Sequence, residues 1–249
     1  MDPIHQFQIV NLFPIAKIGN HEIFFTNSAL MMLIAVTALT AFLVIGTAGA
    51  RPVPGRLQSA AELSYEFVAT MLRSTGGSEG MRFFPFVFTI FMFVLLLNVF
   101  GIIPYAFTVT SHIIITAVLA LTVFFTVLLY GLYRHGLHFF NLFVPKGVPV
   151  YILPMIVAIE ILSFISRPVS HSVRLFANML AGHIALQVFA GFIVLLGGAL
   201  GAIGWIGGVL PFFMIVALLA LELLVAFLQA YVFAILTCIY LNDAIHPGH

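Results

Sequence analysis

Long apolar runs separated by short polar segments dominate this chain. Three of them, Ser28 to Gly49, Phe83 to Phe107 and Ile113 to Tyr133, each provide the ~20 residues that a helix needs to cross the hydrocarbon of a bilayer. A fourth apolar block begins after Tyr151 and fills most of the remaining sequence. The pattern therefore predicts an all-α integral membrane protein.

The composition agrees with this prediction and excludes several functions. Hydrophobic residues make up 63% of the chain, and the mean hydropathy is +1.21. Only 7% of the residues are charged, whereas about a quarter of the residues in soluble domains are charged. The net charge of +1 gives no basic surface for nucleic acid, and no glycine-rich phosphate loop indicates a nucleotide site. Cys238 stands alone, so neither a disulfide nor a zinc site is expected, and we predict no cofactor and no metal.

Charges between the runs predict the orientation. The loop from residue 50 to residue 82 is basic and so is the connection after the third run, while the intervening connection near 108–112 is uncharged. The basic residues are Arg51, Arg56, Arg73, Arg82, Arg134 and Lys146. Because positive loops remain on the cytoplasmic side, we expect the N-terminus outside and both basic loops inside.

Two further features concern the first half of the chain. Within the first basic loop, apolar residues recur at helical spacing among acidic ones, which predicts an amphipathic helix at the membrane surface. The first apolar run ends in Ala48-Gly49-Ala50, similar to a signal-peptidase site. Its length and the acidic residues before it favour a retained span instead.

The final block predicts a helical hairpin. Six glycines cluster around residue 202 and indicate a turn, with an apolar arm of about forty residues on each side. An unbroken helix from Pro154 to Gly198 would be ~67 Å long, over twice the hydrocarbon thickness, and would lie steeply tilted. The alternative divides this arm into two spans joined by a loop from Arg167 to Arg174, which would place arginines outside against the charge rule.

The single-hairpin interpretation gives five spans, an interfacial helix and an inside C-terminus. The chain is then one membrane domain, 1–249, with an outer segment 1–27, three spans within 28–150 and the hairpin in 151–249, its turn near 197–208.

Hairpin geometry also predicts which polar residues face each other. His183 and Glu222 lie 19 and 20 residues from residue 202, and Arg174 and Gln229 lie 28 and 27 residues from it. On a helical wheel His183 points away from Arg174. The residues expected on the Arg174 face are Arg167, Ser170, Asn178 and Ala181, with Glu160 about 40° away.

Arg174 keeps its charge in any protein environment, and at bilayer depth that charge costs about 3 kcal/mol or more, so we expect it to be functional.

Two motifs carry a family resemblance. The segment Arg174-Leu-Phe-Ala-Asn178-Met-Leu-Ala-Gly182-His183, with Glu160 before it and Glu222 and Gln229 after it, resembles subunit a of the membrane sector of F-type ATP synthases. Asn98-Val-Phe-Gly-Ile-Ile-Pro-Tyr-Ala-Phe-Thr108 is similar to that family's segment at the end of the second span. The resemblance covers nearly the whole chain, and its most specific part is residues 160 to 242.

The resemblance implies a non-catalytic stator that conducts protons through two offset half-channels to and from the carboxylates of a rotating c-ring. It implies that Arg174 is the essential arginine, that Asn178 and Gln229 are its polar neighbours, and that His183 and Glu222 form the titratable pair of an access channel. In some bacterial members of the family, the acid and the histidine occupy each other's positions, and this exchange preserves the acid–imidazole pair. Glu160 is a further proton-pathway candidate.

The same resemblance implies partners and a location. The partners are the c-ring, the b subunits of the peripheral stalk and the lipid bilayer. The location is a bacterial inner membrane or the mitochondrial inner membrane.

Some alternatives remain open at the level of sequence. His171 and His183 lie on one predicted helix and suggest a haem-binding cytochrome, although the second arm has no facing histidines. A self-contained ion transporter is another class, although no internal repeat is visible. His171 is interpreted as a packing residue. Arg167 is either a second pathway charge or an arginine that snorkels to the interface, and H⁺ and Na⁺ are not distinguished.

Overall fold

The computed structural model describes residues 8–18, 21–49, 51–103, 106–144 and 151–245. Two short strands precede six helices. The strands are β1 (Asn11–Ile18) and β2 (His21–Thr26), and the helices are α1 (Asn27–Thr47), α2 (Arg56–Gly80), α3 (Phe84–Ile102), α4 (Ile113–His135), α5 (Leu153–Gly207) and α6 (Val209–Ile245). Five helical segments are long and apolar enough to cross a membrane, which confirms the predicted architecture.

Contacts divide the chain into two compact units. The first unit comprises Met1–Leu39, Phe93–His112 and Leu175–Gln229. The second comprises Thr40–Met92, Ile113–Arg174 and Ala230–His249. Lys146, one of the predicted cytoplasm-side charges, lies outside the described residues, as do Pro104 and Tyr105 of the second motif.

The N-terminal segment contains an element that sequence analysis did not predict. Strands β1 and β2 pair antiparallel, and the rings of Phe13 and Phe25 stack with centroids 4.9 Å apart. Asn27 joins this hairpin to α1, because its Oδ1 accepts hydrogen bonds from the backbone N–H groups of Val10 and Ser28. The cap of α1 is the preceding residue, Thr26, whose Oγ1 accepts a hydrogen bond from the backbone N–H of Ala29 at 3.3 Å.

Helix α2 has the predicted amphipathic pattern. Its buried apolar positions include Ala61, Val68 and Leu72, whereas Glu62 and Glu66 are exposed. Gly77 has a positive φ of 59°, a conformation that glycine adopts without the penalty of a Cβ atom, and it kinks the chain before α3.

Helix α3 ends earlier than the apolar run suggested. The predicted span reaches Phe107, but the helix stops at Ile102. Residues 106–108 are non-helical, and a single 3-10 turn, Val109–Ser111, precedes α4. The side chains of this short segment are buried although they are mostly polar, so it packs within the first unit.

The last two helices confirm the long hairpin and rule out the two-span alternative. α5 runs continuously through Pro168, and its span Leu153–Ala199 contains 47 residues, or about 70 Å at 1.5 Å per residue. Gly201, with a φ of 56°, breaks the helical geometry inside the predicted turn. Such a length exceeds the ~30 Å hydrocarbon core, so the expectation of a steep tilt stands.

Candidate functional site

Arg174 lies on α5 with its side chain exposed, inside a segment apolar enough to span a membrane. Within the described part of the chain, no carboxylate forms an ion pair with it. Neighbouring Val173 is also exposed. The helix therefore presents a permanent cation on a surface that is otherwise suited to lipid or to another polypeptide.

Three of the four residues predicted on the Arg174 face of α5 are exposed, and the fourth, Arg167, is half-buried. Ser170, Asn178 and Ala181 are exposed on the Arg174 face. Leu175, Met179 and His183 are buried on the other face. Buried and exposed positions after Arg174 thus recur with the spacing of a helix that is buried along one face.

His183 and Glu222 meet inside the first unit, as their distances from the turn predicted. Nδ1 of His183 lies 3.6 Å from Oε1 of Glu222, and both residues are buried. A Cβ atom on Gly182 would lie 2.9 Å from the same carboxylate oxygen. Glycine at this position therefore leaves the room that the Glu222 side chain occupies.

Two polar residues of this region were quoted in the second motif but not assigned a role. Thr108 Oγ1 is 2.9 Å from Nε2 of His183, and both residues are buried. The Nδ2 amide of Asn98 donates to the backbone oxygen of Ala226 at 3.3 Å. In the sequence, both residues are polar side chains within or next to an apolar run. Such a position indicates a polar site in the membrane but does not identify the residue that the side chain contacts.

His112 directly follows the 3-10 turn Val109–Ser111 and lies outside the membrane-spanning helices. Its ring stacks on Phe107 with centroids 5.0 Å apart. Burial lowers the pKa of His112 from its usual value because the charged form loses hydration.

Arg167 has an internal counterion that the sequence analysis did not predict. Its Nη1 donates to Oδ2 of Asp243 at 2.8 Å, within the second unit. The guanidinium carbon also lies 4.8 Å from the ring centroid of Tyr240 and 5.4 Å from that of Phe164. The sequence left open whether Arg167 is a second pathway charge or an arginine that snorkels to the interface, and neither interpretation included an ion pair. The pairing with Asp243 gives Arg167 a structural role within the chain.

His171 is packed among aromatic rings, in agreement with its interpretation as a packing residue. Its ring stacks on Phe233 at 4.2 Å and meets Tyr240 edge-on at 5.7 Å. Its Nε2 atom is buried and has no hydrogen-bond partner among the described residues.

Among the described residues, no hydrogen bond or ion pair joins Glu160 or Gln229 to these clusters. Glu160 and Gln229 are half-buried. The pairing of Arg174 with Gln229 stays a prediction. Across the described ranges, no group of three or more histidine, cysteine, aspartate or glutamate side chains has an arrangement that could hold a metal ion.

The fold and the site together define a class. Five long apolar helices, a buried acid–imidazole couple and an exposed guanidinium on a spanning segment are typical of membrane proteins that move ions. Residues 29–242 match the family model described as ATP synthase A chain. The chain belongs to this family, whose members are the non-catalytic, proton-translocating subunit a of F-type ATP synthases.

Full-length relatives agree with the family model. The chain is 68% identical over 249 residues to "ATP synthase subunit a" of Bradyrhizobium diazoefficiens, covering 100% of this chain and 99% of the relative. It is 67% identical to the protein of the same name from Nitrobacter winogradskyi and 65% identical to one from Rhodopseudomonas palustris, each with full coverage of both chains. This family membership replaces the haem-cytochrome and self-contained-transporter alternatives.

Proposed function

We propose that this chain is the stator of a rotary ATP synthase in which Arg174 faces the carboxylates of a rotating c-ring. The observation that carries the proposal is the exposed guanidinium of Arg174 in a spanning segment, without an acidic partner in the described part of the chain. An exposed charge at bilayer depth is costly. A partner that brings an anionic group to this surface removes that cost.

The residues around Arg174 support the approach of another helix. Ser170, Asn178 and Ala181 are small or polar and are exposed on the same face of α5. Small side chains allow helices to approach closely in a membrane, and polar ones form hydrogen bonds between helices. We therefore assign this stripe to the ring contact, and we assign Asn178 and Gln229 to holding the Arg174 side chain or the water near it.

A fixed cation at this surface has two chemical effects. It favours the ionised form of a nearby carboxylate, so that a ring acid arriving with a proton releases it beside Arg174. It also repels a proton that would cross directly between two aqueous half-channels. Both effects couple proton flow to ring rotation.

The first half-channel is assigned to the His183–Glu222 pair in the first unit. Both carboxylate oxygens of Glu222, Oδ1 of Asn98 and Oε1 of Gln187 are buried without a hydrogen-bond partner among the described residues. Buried polar atoms in native proteins are normally satisfied by protein groups or by ordered water. The two unsatisfied oxygens of Glu222 belong to the titratable pair itself, which supports water at this pair and a hydrated route to mid-membrane.

The second half-channel is assigned to the part of α5 that precedes Arg174. Glu160 is half-buried there, about 21 Å before Arg174 along the helix at 1.5 Å per residue. It supplies a titratable group on the side of Arg174 opposite to His183. The two half-channels are thus assigned to different units of the chain.

The proposal extends to assembly and orientation. The named relatives are bacterial, which supports a bacterial plasma membrane as the location. The basic residues before α2 and at the end of α4 support cytoplasmic loops, an outside N-terminus and an inside C-terminus. The b subunits of the peripheral stalk complete the stator.

Disulfide cross-linking within the assembled synthase tests the ring contact. Asn178→Cys should form a disulfide with a cysteine placed next to the ring carboxylate, because Asn178 is exposed one helical turn from Arg174. Val118→Cys is the control, since Val118 is exposed on a different helix, α4. Cross-linking from Val118 but not from Asn178 would place the ring elsewhere and overturn the proposal.

A further inference from the structure

The β1–β2 hairpin is joined to the first spanning helix without a linker. Strand β2 ends at Thr26, and α1 begins at Asn27. The backbone N–H of Asn27 donates to the backbone oxygen of Val10 at 3.2 Å, and Oδ1 of Asn27 accepts from the N–H of Val10 at 3.2 Å. Its Nδ2 donates to the backbone oxygen of Gln8 at 3.1 Å. The base of the hairpin is therefore bonded to the first residue of a helix that is long and apolar enough to cross a membrane.

Large apolar side chains at this base are exposed. Val10 is 55% exposed, Leu12 48% and Phe13 54%. Phe24, on the facing strand, is 36% exposed. Water is an unfavourable surrounding for such side chains, and an isolated two-stranded hairpin is only marginally stable in water. The base of the hairpin thus requires an apolar surface to cover it.

Charged side chains lie towards the other end of the hairpin. Lys17 is opposite Glu22 in the strand register, and their side chains form an ion pair of 2.5 Å. These side chains are 73% and 40% exposed. Glu22 precedes Thr26 by four residues, which is about 13 Å along a strand at ~3.3 Å per residue. The exposed surface of the hairpin is therefore apolar beside α1 and charged further from it.

This gradient indicates which surface covers the base. A segment that leaves a bilayer passes from acyl chains through the headgroups into water, and its exposed side chains become more polar in that order. Contact with a protein does not require that order. We propose that the base of the hairpin is inserted into the leaflet at the N-terminal end of α1. Val10, Leu12 and Phe13 then contact phospholipid acyl chains, while the Lys17–Glu22 pair stays in water.

In this position the hairpin anchors the start of α1. Its apolar base opposes withdrawal of the helix from the bilayer, because that movement would expose the base to water. The ion pair opposes movement in the other direction, because it would lose hydration. Only the membrane span of α1 is required for this arrangement, which is independent of the role proposed for Arg174.

Spin-label accessibility in the assembled synthase tests this placement. Leu12→Cys and Lys17→Cys are prepared separately in a synthase without other accessible cysteines, labelled with a nitroxide and reconstituted into vesicles of phosphatidylcholine and phosphatidylglycerol. Cys238 is buried and can remain. Collisions of each label with oxygen, which concentrates in lipid, are compared with collisions with a water-soluble nickel complex. Nitroxide-labelled phospholipids in the same vesicles calibrate the depth.

The ratio of oxygen collisions to nickel collisions should be about fivefold or more higher at Leu12 than at Lys17, because interfacial segments bury their apolar face ~5–10 Å into the headgroup–acyl boundary. Lys17→Cys is the matched control on the same strand, since loss of an exposed ion pair costs little stability. Val10→Cys is a second apolar site. Its bonds to Asn27 are made by its backbone, so it should give the Leu12 result even where Leu12→Cys disturbs β1.

Three results would overturn the proposal. Frequent nickel collisions at Leu12 and Val10, equal to those at Lys17, would place the base of the hairpin in water. Rare collisions with both reagents at Leu12 and Val10 would mean that another protein covers the base. A lipid-like ratio at Lys17 as well would mean that the whole hairpin is embedded and that its charge gradient does not follow the bilayer.

Discussion

Arg167 and Arg174 are separated by two helical turns on α5, yet their surroundings differ. Arg167 is bonded to Asp243 at 2.8 Å and lies against the rings of Phe164 and Tyr240. Arg174 is exposed and has no acidic partner in the described residues. The same residue type is thus neutralised within the chain at one position and left without an acidic partner among the described residues at the other, which is the arrangement that the proposed ring contact requires.

The largest expected effect comes from changing the unpaired arginine. Arg174→Lys should reduce ATP-driven proton pumping by at least about a hundredfold, nearly as much as Arg174→Ala. An ammonium group in a low-dielectric site can lose its proton, whereas a guanidinium keeps its charge and its fork of donors. Pumping is followed in inverted membrane vesicles with a pH-sensitive dye.

Arg167→Lys provides the matched control for this comparison. It keeps a positive charge near Asp243 and should retain most of the pumping activity. Ordinary pumping rates in Arg174→Lys would show that a titratable charge is sufficient and would remove the basis for distinguishing the two arginines.

The second prediction concerns the paired arginine. Arg167→Ala should lower the stability of the assembled subunit by about 1–3 kcal/mol, because the Asp243 carboxylate then loses its charged donor. The measurement is the temperature at which the purified complex releases this chain. Arg167→Asp combined with Asp243→Arg should restore part of the loss, and failure of both single variants to lower that temperature would contradict the structural role.

The fold was largely predictable because apolar runs of membrane length have few alternatives. The His183–Glu222 contact was predictable as well, since a glycine-rich turn relates two helical arms by distance from the turn. The pair of Arg167 and Asp243 was not predictable in this way, because Arg167 lies 35 residues before residue 202 and Asp243 lies 41 residues after it.

Other features depended on tertiary contacts. The contact between Thr108 and His183 joins residues 75 positions apart and depends on how the connection after α3 folds back. The N-terminal strands were missed because Pro14 and two register irregularities obscure the alternation of apolar and polar residues. The Arg174–Gln229 pairing stays a prediction of the hairpin rule.

The third prediction extends the comparison to the buried acid. Gly182→Ala should reduce proton flux about threefold, because the new Cβ atom would lie 2.9 Å from Oε1 of Glu222 and would push this flexible side chain away from His183. Gly191→Ala, where a Cβ atom would have no neighbour within 4 Å, is the control on the same helix. Equal flux in the two variants would mean that the position of the carboxylate is not critical.

The smallest effect is expected at an ion pair whose partners are more exposed than Arg167 and Asp243. Arg134 Nη1 lies 2.7 Å from Oε2 of Glu79, and Tyr130 accepts a second hydrogen bond from the same atom. Exposed pairs contribute little because water and salt screen them and because both side chains lose freedom on pairing. Glu79→Gln should therefore leave both proton flux and the release temperature unchanged within error. A loss as large as that of Arg167→Ala would mean that burial of the partners does not determine which ion pairs hold this chain together.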